Sequence, residues 1–242
     1  EQHGLRVRLV TTDEIYNEFN GGAESPVALR SFIDWTLRQW QKPSPRFVLL
    51  VGKASYDYRN YLNAPNKNLV PTYLVQTPNL GATASDNWFV ADDATQVRPQ
   101  LAIGRIPAKT LDQVTRVVNK IIAYESKSGD WQQRAIWVAD DKASEFVTMA
   151  DTLAQRATGL QSQKIYLANY RGAVNATRAE IISQWNAGAL LLTYIGHGSI
   201  DTWAEGPLFS AANVRDLNNG ERLPILLTPT CLDGFFYHPQ VD

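Results

Sequence analysis

One cysteine and one histidine, which could act together in nucleophilic chemistry, each follow a short apolar run. Cys231 is the only cysteine among the 242 residues, and His197 is one of three histidines. A cysteine thiol becomes a strong nucleophile when a neighbouring histidine takes its proton, so this pair predicts attack on a carbonyl carbon. A single cysteine is more often a small buried hydrophobe, and that is the alternative interpretation.

Both residues lie at the ends of segments that have the pattern of buried parallel strands. The first apolar run spans residues 190–195 and stops at the turn 196–199, which carries His197 between two glycines. The second run spans residues 223–228 and stops at 229–234, which carries Cys231. Short apolar runs bounded by glycine or proline are typical of strands that are covered on both faces. Because reactive groups gather beyond the carboxyl ends of such strands, we expect the two side chains to meet there.

The histidine turn predicts further roles for its neighbours. The main-chain N–H groups of Gly198 and Cys231 are candidates for holding the oxyanion of a tetrahedral intermediate. Ser199 and Trp203 are candidates for contacts with a substrate, although filling the core is the default interpretation for the tryptophan. His197 itself has an alternative as an ordinary turn residue that is bonded to a nearby carbonyl.

Two aspartates follow a third predicted strand, at residues 134–139. A carboxylate in this position could orient His197 and stabilise its protonated form, and Asp140 is preferred because it is nearer to the strand. The alternative role for Asp140 and Asp141 is N-capping of the next helix, which is predicted over residues 145–157.

Strand-like and helix-like periods alternate along most of the chain. This alternation predicts an α/β fold, with a mostly parallel sheet that is flanked by helices on both faces. Ser25 and Pro26 have the residue types that open a helix, and residues 47–52 are predicted as a buried strand. The alternating residues 6–11 are also predicted as a strand.

The segment 126–130 has the composition of a linker and separates two predicted β/α subdomains, 1–128 and 129–242. We expect the second subdomain to be incomplete, because the chain stops eleven residues after Cys231. Since residue 1 is Glu and not Met, we also expect the chain to be a piece of a longer protein.

The composition is that of an ordinary globular protein, with 44% apolar and 19% charged residues. A net charge of −1 argues against nucleic acid or an anionic membrane as a partner. The chain has no apolar run of roughly 18 residues, so no transmembrane helix is predicted. Asp92 and Asp93 could bind calcium with loop carbonyls, but two adjacent carboxylates are more typical of an ordinary turn.

The turn 196–199 with Trp203, together with the segment 223–234, resembles the gingipain family of cysteine peptidases, which belongs to the caspase-like clan. The similarity covers nearly the whole chain in the same order, because it extends to residues 13–16, 47–52, 85–89 and 103–107.

This resemblance implies a caspase-like α/β sandwich in two subdomains, and endopeptidase activity. It assigns Cys231 as the nucleophile that forms an acyl-enzyme, and His197 as the proton donor to the leaving amine. It places the supporting acid slightly beyond Asp140, where Lys142 falls, so either Asp140 or Asp141 is the candidate acid.

The resemblance also implies the partners and the location. It implies a protein or peptide substrate, no cofactor for the chemistry, and a structural calcium near Asp92 and Asp93. It implies a secreted or cell-surface bacterial protein whose C-terminal portion, or a second processed chain, completes the site. The two alternatives are a non-catalytic binding or scaffold domain and a sortase-like transpeptidase.

Overall fold

The computed structural model describes residues 4–92 and 98–241. The chain divides into two compact units, Glu1–Val117 with Phe236–Asp242, and Val118–Phe235. The predicted β/α subdomains 1–128 and 129–242 stay a prediction.

The first unit combines two helices with two pairs of strands. These elements are α1 (Thr12–Asn20), α2 (Pro26–Gln39), the parallel pair β1 (Phe47–Val51) and β4 (Ala102–Ile106), and the hairpin β2 (Leu74–Thr77) and β3 (Gly81–Ala84). A 3-10 turn covers Asp86–Phe89. The predicted opening of α2 is confirmed, because the Ser25 hydroxyl accepts the N–H of Val27 and Pro26 begins the helix. The strand predicted at residues 6–11 is wrong, since the described chain has no strand there and Leu9 is 84% exposed.

The helix α3 (Leu111–Glu125) runs from the first unit into the second. Thr110 caps it, because the hydroxyl oxygen accepts the N–H of Gln113 at 3.3 Å. A helix needs about 20 apolar residues to cross the hydrocarbon core of a bilayer. None of the helices within residues 4–92 and 98–241 is long and apolar enough to do so.

The second unit is built on a four-stranded parallel sheet with the order β10-β7-β5-β6. Its strands are β5 (Arg134–Ala139), β6 (Gln161–Tyr166), β7 (Leu191–Ile195) and β10 (Ile225–Leu227). The antiparallel ribbon of β8 (Thr202–Trp203) and β9 (Phe209–Ser210) follows β7. The helices are α4 (Ser144–Arg156) and α5 (Val174–Ala187), and 3-10 turns cover Asp130–Gln133, Leu167–Tyr170 and Ala211–Asp216.

The central strand β5 explains why this sheet is covered on both faces. Successive side chains of a strand point to opposite faces, and every residue from 135 to 139 is buried. One face shares a cluster with α5, which contains Ile136, Val138, Ile181 and Trp185. The other face shares a cluster with α4, which contains Ala135, Trp137, Ala139 and Ala150. The predicted α/β class and its mostly parallel sheet are confirmed.

The edge strand β10 differs from the other three strands in its exposure. Ile225 is 53% exposed, Leu226 is 43% exposed and Leu227 is 49% exposed. Within the described ranges, β10 pairs with β7 alone. The strand that leads to Cys231 therefore presents apolar side chains and one row of main-chain groups at the surface.

Candidate active site

Strand β7 brings His197 to the carboxyl end of the sheet through a turn that only a glycine can form. A Cβ added to Gly196 would collide with the Cβ of Asp140 and with the hydroxyl of Tyr194. Gly196 itself is buried. Because Gly196 has no side chain, the main chain can pass close to Asp140 as it leaves β7. The next residue, His197, then lies at the surface.

After His197 the chain reverses direction within a few residues. Gly198 and Trp203 face each other as an antiparallel pair. The N–H of Ala204 donates to the carbonyl of His197 at 2.7 Å, which closes the reversal. The histidine is therefore carried by a hydrogen-bonded loop and not by a free one.

Two buried side chains hold the main chain of His197. Its N–H donates to Asp140 Oδ2 at 3.2 Å, and its carbonyl accepts the Tyr194 hydroxyl at 2.5 Å. Asp140 is 0% exposed, and its other oxygen accepts the N–H of Asp141 at 2.7 Å. Burial raises the pKa of Tyr194, and the nearby Asp140 carboxylate adds to this effect. The phenol therefore stays protonated and remains a donor at neutral pH.

The N-capping alternative for the two aspartates is wrong. Helix α4 begins at Ser144, its N-cap residue is Ala143, and no side chain caps it. Lys142, which falls where the resemblance expects the acid, instead forms an ion pair with Glu205 at 3.1 Å. The hydrogen bond that Lys142 donates to the Glu205 carboxylate is the main cause that raises the pKa of Lys142. Of the acidic candidates, Asp140 is the one that contacts the histidine turn.

The imidazole of His197 lies at the surface beside an aromatic ring. The ring of Phe146, from the first turn of α4, meets it edge-on with centroids 5.2 Å apart and planes at 89°. Such edge contacts restrict how an aromatic side chain can rotate. In the described part of the chain, no group hydrogen-bonds either imidazole nitrogen. The side chain of His197 is therefore exposed and is not bound to another side chain by a hydrogen bond within the described residues.

Cys231 lies in the loop that follows β10, and it is exposed. The alternative of a buried hydrophobe is therefore wrong. The next residue, Leu232, has φ of +60°, which is uncommon for a residue with a side chain. Such backbone geometry is enriched at functional sites, where the surrounding structure maintains it.

The cysteine loop and the histidine turn contact each other directly. The Thr230 hydroxyl donates to the carbonyl of Gly196 at 2.7 Å. A Cβ on Gly198 would lie 2.5 Å from Thr230 Oγ1 and 2.9 Å from the carbonyl oxygen of Cys231. The residues on both sides of His197 therefore pack against Thr230 and Cys231. This contact joins the ends of two adjacent parallel strands, as the sequence pattern predicts.

The two candidate N–H groups for an oxyanion are not used elsewhere. Gly198 and Trp203 form the type of antiparallel pair in which the hydrogen bonds run between their neighbours. Within residues 4–92 and 98–241, no acceptor lies in hydrogen-bond range of the N–H of Gly198 or of Cys231. The oxyanion-binding roles of Gly198 and Cys231 stay predictions.

The two candidate substrate contacts occupy different environments. Trp203 is 4% exposed and stacks on Tyr194 with ring centroids 4.5 Å apart, so the structure places it in the core. The Ser199 hydroxyl is partly exposed and shares a hydrogen bond of 2.8 Å with the Thr202 hydroxyl. The substrate-binding roles of Ser199 and Trp203 stay predictions.

The predicted calcium site falls only partly within the described residues. Asp92 is described, and its N–H donates to the carbonyl of Arg98 at 3.3 Å. Asp93 lies outside the described residues. Within the described ranges, no group of three or more His, Cys, Asp or Glu side chains could hold a metal ion. The calcium site stays a prediction.

Three residues of this region were not predicted from the sequence. Tyr194 looks like part of an apolar strand, Phe146 like a core residue of a helix, and Thr230 like part of a turn. Only Thr230 had a visible signal, since it directly precedes the single cysteine.

The parallel sheet thus presents His197 and Cys231 beyond the carboxyl ends of two adjacent strands, β7 and β10. Residues 1–242 match Peptidase family C25, and the chain therefore belongs to this family. The predicted gingipain-type relationship is confirmed.

The relatives are bacterial gingipains. Gingipain R2 of Porphyromonas gingivalis is 23% identical over 247 residues, covering 97% of this chain and 30% of its own length. Gingipain R1 of the same species is also 23% identical, over 97% of this chain and 22% of its own length. The chain thus spans less than a third of the length of these relatives.

The solved structures confirm the caspase-like fold. The crystal structure of the Arg specific cysteine proteinase gingipain R has a TM-score of 0.76 at 20% identity. It matches 99% of this chain and 51% of its own. The complex of the pro- and mature domains of Porphyromonas gingivalis RgpB also has a TM-score of 0.76 at 20% identity, and it matches 99% of this chain and 52% of its own.

Proposed function

We propose that the protein is a cysteine endopeptidase in which Cys231 and His197 form the catalytic dyad. One observation carries this proposal: Gly196 and Gly198, which flank His197, pack against Thr230 and Cys231. Both side chains are exposed at this junction. Membership of peptidase family C25 supports the class of reaction.

In the proposed reaction, His197 takes the proton of the Cys231 thiol, and the thiolate attacks the carbonyl carbon of a peptide bond. The tetrahedral intermediate carries a negative oxygen, to which the N–H groups of Gly198 and Cys231 donate. His197 then gives its proton to the amine, the C–N bond breaks, and a thioester remains on Cys231. Water attacks the thioester after losing a proton to His197, and the protonated imidazole returns this proton to the departing thiolate.

Asp140 has a supporting role in this proposal. Because its carboxylate holds the N–H of His197, it fixes the main chain from which the imidazole extends. The buried Asp140 therefore acts as a positioning residue for the proton carrier.

The test uses the full-length protein and a library of peptides with defined cleavage sites. Cys231→Ala and His197→Ala are each expected to lower kcat by at least about a thousandfold, while both variants remain folded. Mass spectrometry of the wild type with a slowly hydrolysed ester substrate is expected to detect an acyl group on Cys231. Full peptidase activity in Cys231→Ala contradicts the proposal, and so does a Cys231 thiol that does not react with iodoacetamide at neutral pH. Ligated products formed with an added amine would identify a transpeptidase instead.

We also propose that a further segment of polypeptide completes the second unit. The exposed apolar side chains of β10 and its single strand partner support this proposal. The complex of RgpB pro- and mature domains shows that a relative of this chain binds a second polypeptide part. The partner proposed here is a C-terminal portion or a second processed chain. Protection of β10 from hydrogen exchange in the longer protein, compared with residues 1–242 alone, tests it.

We also propose a location for the protein in the cell. The gingipain relatives are bacterial proteins, and we propose that this protein is also bacterial and is secreted or exposed at the cell surface. Detection of the protein in the medium or by surface labelling of intact cells tests this.

For calcium, Asp92 and Asp93 are the proposed ligands, and the ion has no part in the reaction steps. A rise in Tm on adding calcium that Asp92→Asn abolishes tests the site.

A further inference from the structure

Two side-chain contacts, one on each side of Cys231, fasten the cysteine loop to the histidine turn and to the strand β8 that follows it. Before the cysteine, the Thr230 hydroxyl donates to the carbonyl of Gly196 at 2.7 Å. After the cysteine, the carboxylate of Asp233 accepts the indole N–H of Trp203 at 3.2 Å. The four-residue segment 230–233 is thus attached to the histidine turn at one end and to β8 at the other.

The contact made by Thr230 acts on one particular peptide group. The carbonyl of Gly196 and the N–H of His197 belong to the same planar unit. Thr230 binds the carbonyl end of this unit, and Asp140 binds its N–H end at 3.2 Å. The orientation of this plane sets the direction in which the Cα–Cβ bond of His197 points. Thr230 and Asp140 therefore restrain the imidazole from opposite sides.

The side chain of Thr230 packs closely against Gly198. A Cβ on Gly198 would lie 2.5 Å from Thr230 Oγ1 and 3.0 Å from Thr230 Cγ2. Thr230 therefore fits between the two glycines that flank His197. Its own main chain continues directly into Cys231, so any shift of the threonine moves the cysteine.

We propose that Thr230 is a positioning residue whose hydroxyl sets the distance between the thiol of Cys231 and the imidazole of His197. The inference rests on the proposed function, because the distance matters only if these two groups exchange a proton. Removal of the hydroxyl lets the Gly196–His197 peptide group rotate and loosens the loop. The side chain need not touch the substrate to have this effect.

The experiment compares Thr230→Val with Thr230→Ser in the full-length protein. Valine keeps the shape of threonine but removes the donor, whereas serine keeps the donor and loses only a methyl group. Thr193→Val is the matched control, because Thr193 lies in β7 and its buried hydroxyl has no partner among the described residues. All three variants are checked for an unchanged fold by circular dichroism and for Tm.

Two readouts separate positioning from general stability. The first is the rate of Cys231 alkylation by iodoacetamide as a function of pH, which reports the coupling of the thiol to the imidazole. The second is hydrogen exchange in residues 228–235. We expect Thr230→Val to lower kcat about tenfold with little change in KM, corresponding to about 1.4 kcal/mol, and to move the alkylation profile toward higher pH. Exchange in residues 228–235 is expected to become faster.

The outcomes are distinct for this inference and for the proposed function. Rescue of kcat and of the pH profile by Thr230→Ser, together with a wild-type kcat and a wild-type alkylation profile in Thr193→Val, supports the inference. A Thr230→Val enzyme with the wild-type profile and wild-type exchange overturns it, even when its Tm is lower. If the wild-type thiol does not react at all, the proposed function fails. In that case, unchanged hydrogen exchange of residues 228–235 in Thr230→Val would separately show that the bond from Thr230 to Gly196 does not restrain the loop.

Discussion

Asp140 binds His197 through the main chain: Oδ2 of the buried carboxylate accepts the N–H of the histidine at 3.2 Å. The second oxygen of the same carboxylate accepts the N–H of Asp141 at 2.7 Å. One side chain at the end of β5 thereby satisfies two main-chain donors of two different loops. The carboxylate is needed for this arrangement, because it is the only short side chain with two acceptor oxygens.

Asp140→Asn is expected to break one of these two bonds. An amide has one acceptor oxygen, so one N–H group would face an NH2 group in a buried position. An unsatisfied buried donor costs about 1–3 kcal/mol, and urea unfolding is expected to show a loss of that size. We also expect kcat to fall by about tenfold, because the histidine turn moves. Asp141→Asn is the control. Because Asp141 is exposed, this change is expected to leave the free energy of unfolding and kcat unchanged. Equal stability of Asp140→Asn and wild type would show that the carboxylate is not needed.

Tyr194→Phe removes the hydroxyl that donates to the carbonyl of His197 and keeps the ring that stacks on Trp203. The expected loss is about 1 kcal/mol of stability, together with a reduced kcat. Tyr166→Phe is the matched control, because its hydroxyl donates to Asp151 at 2.7 Å, on the edge strand β6. Both variants should lose similar stability in urea, and only Tyr194→Phe should lose turnover. Equal turnover in the two variants would contradict a role for Tyr194 in holding the turn.

The same tyrosine predicts a dependence of stability on pH. Burial raises the pKa of Tyr194 above its ordinary value of 10.0, so the folded state holds this proton more tightly than the unfolded state. Its contribution is fully present below pH 10 and is lost as pH rises above that value. Chemical unfolding between about pH 8 and 11 is expected to show this loss in the wild type and a smaller loss in Tyr194→Phe. If the free energy of unfolding falls with pH by the same amount in both proteins, Tyr194 is not a cause of the pH dependence.

The parts of the fold that the sequence predicted are those in which one local pattern determines the structure. The apolar runs before His197 and Cys231 are β7 and β10, because fully buried or edge strands of a parallel sheet need no polar alternation. The alternating residues 6–11 failed as a strand because alternation alone does not supply a hydrogen-bonding partner. Leu9 in this segment is 84% exposed.

The contacts within the site depend on distant segments, and for this reason they could not be predicted. The bond from the N–H of His197 to the Asp140 carboxylate joins residues that are 57 positions apart. The sequence indicated a carboxylate near the histidine, but not whether it binds the ring or the main chain. The hydroxyl of Thr230 reaches across 34 positions to Gly196. Such pairings become visible only when the order β10-β7-β5 is known.

Thr193→Val is expected to stabilise the protein. The hydroxyl of Thr193 is buried in β7 and has no hydrogen-bond partner within residues 4–92 and 98–241. Valine has nearly the same shape and favours strands, so the substitution removes the cost of burying an unpaired polar group. The expected gain is about 1 kcal/mol in the free energy of unfolding, measured in urea. A loss of stability would indicate that the hydroxyl has a partner, such as a buried water molecule.

Gly198→Ala tests the close approach of the two loops directly. The added Cβ would lie 2.5 Å from Thr230 Oγ1 and 2.9 Å from the carbonyl of Cys231, so one loop must move. The φ angle of Gly198 is not in the left-handed region, and the effect is therefore steric. We expect a fall in kcat of at least about a hundredfold, because small displacements of reacting groups have effects of that size.

Gly206→Ala is the matched control for this variant. Its Cβ would lie 3.4 Å from Val174 Cγ2, which is an ordinary contact, and its φ angle is also not in the left-handed region. The control is expected to keep wild-type kcat. Thr230→Ala combined with Gly198→Ala removes Thr230 Oγ1 and Cγ2, two of the three nearest atoms that the new methyl group meets, and it should recover part of the kcat lost in Gly198→Ala. If Gly198→Ala has wild-type turnover, the loops that carry His197 and Cys231 are not packed together during the reaction.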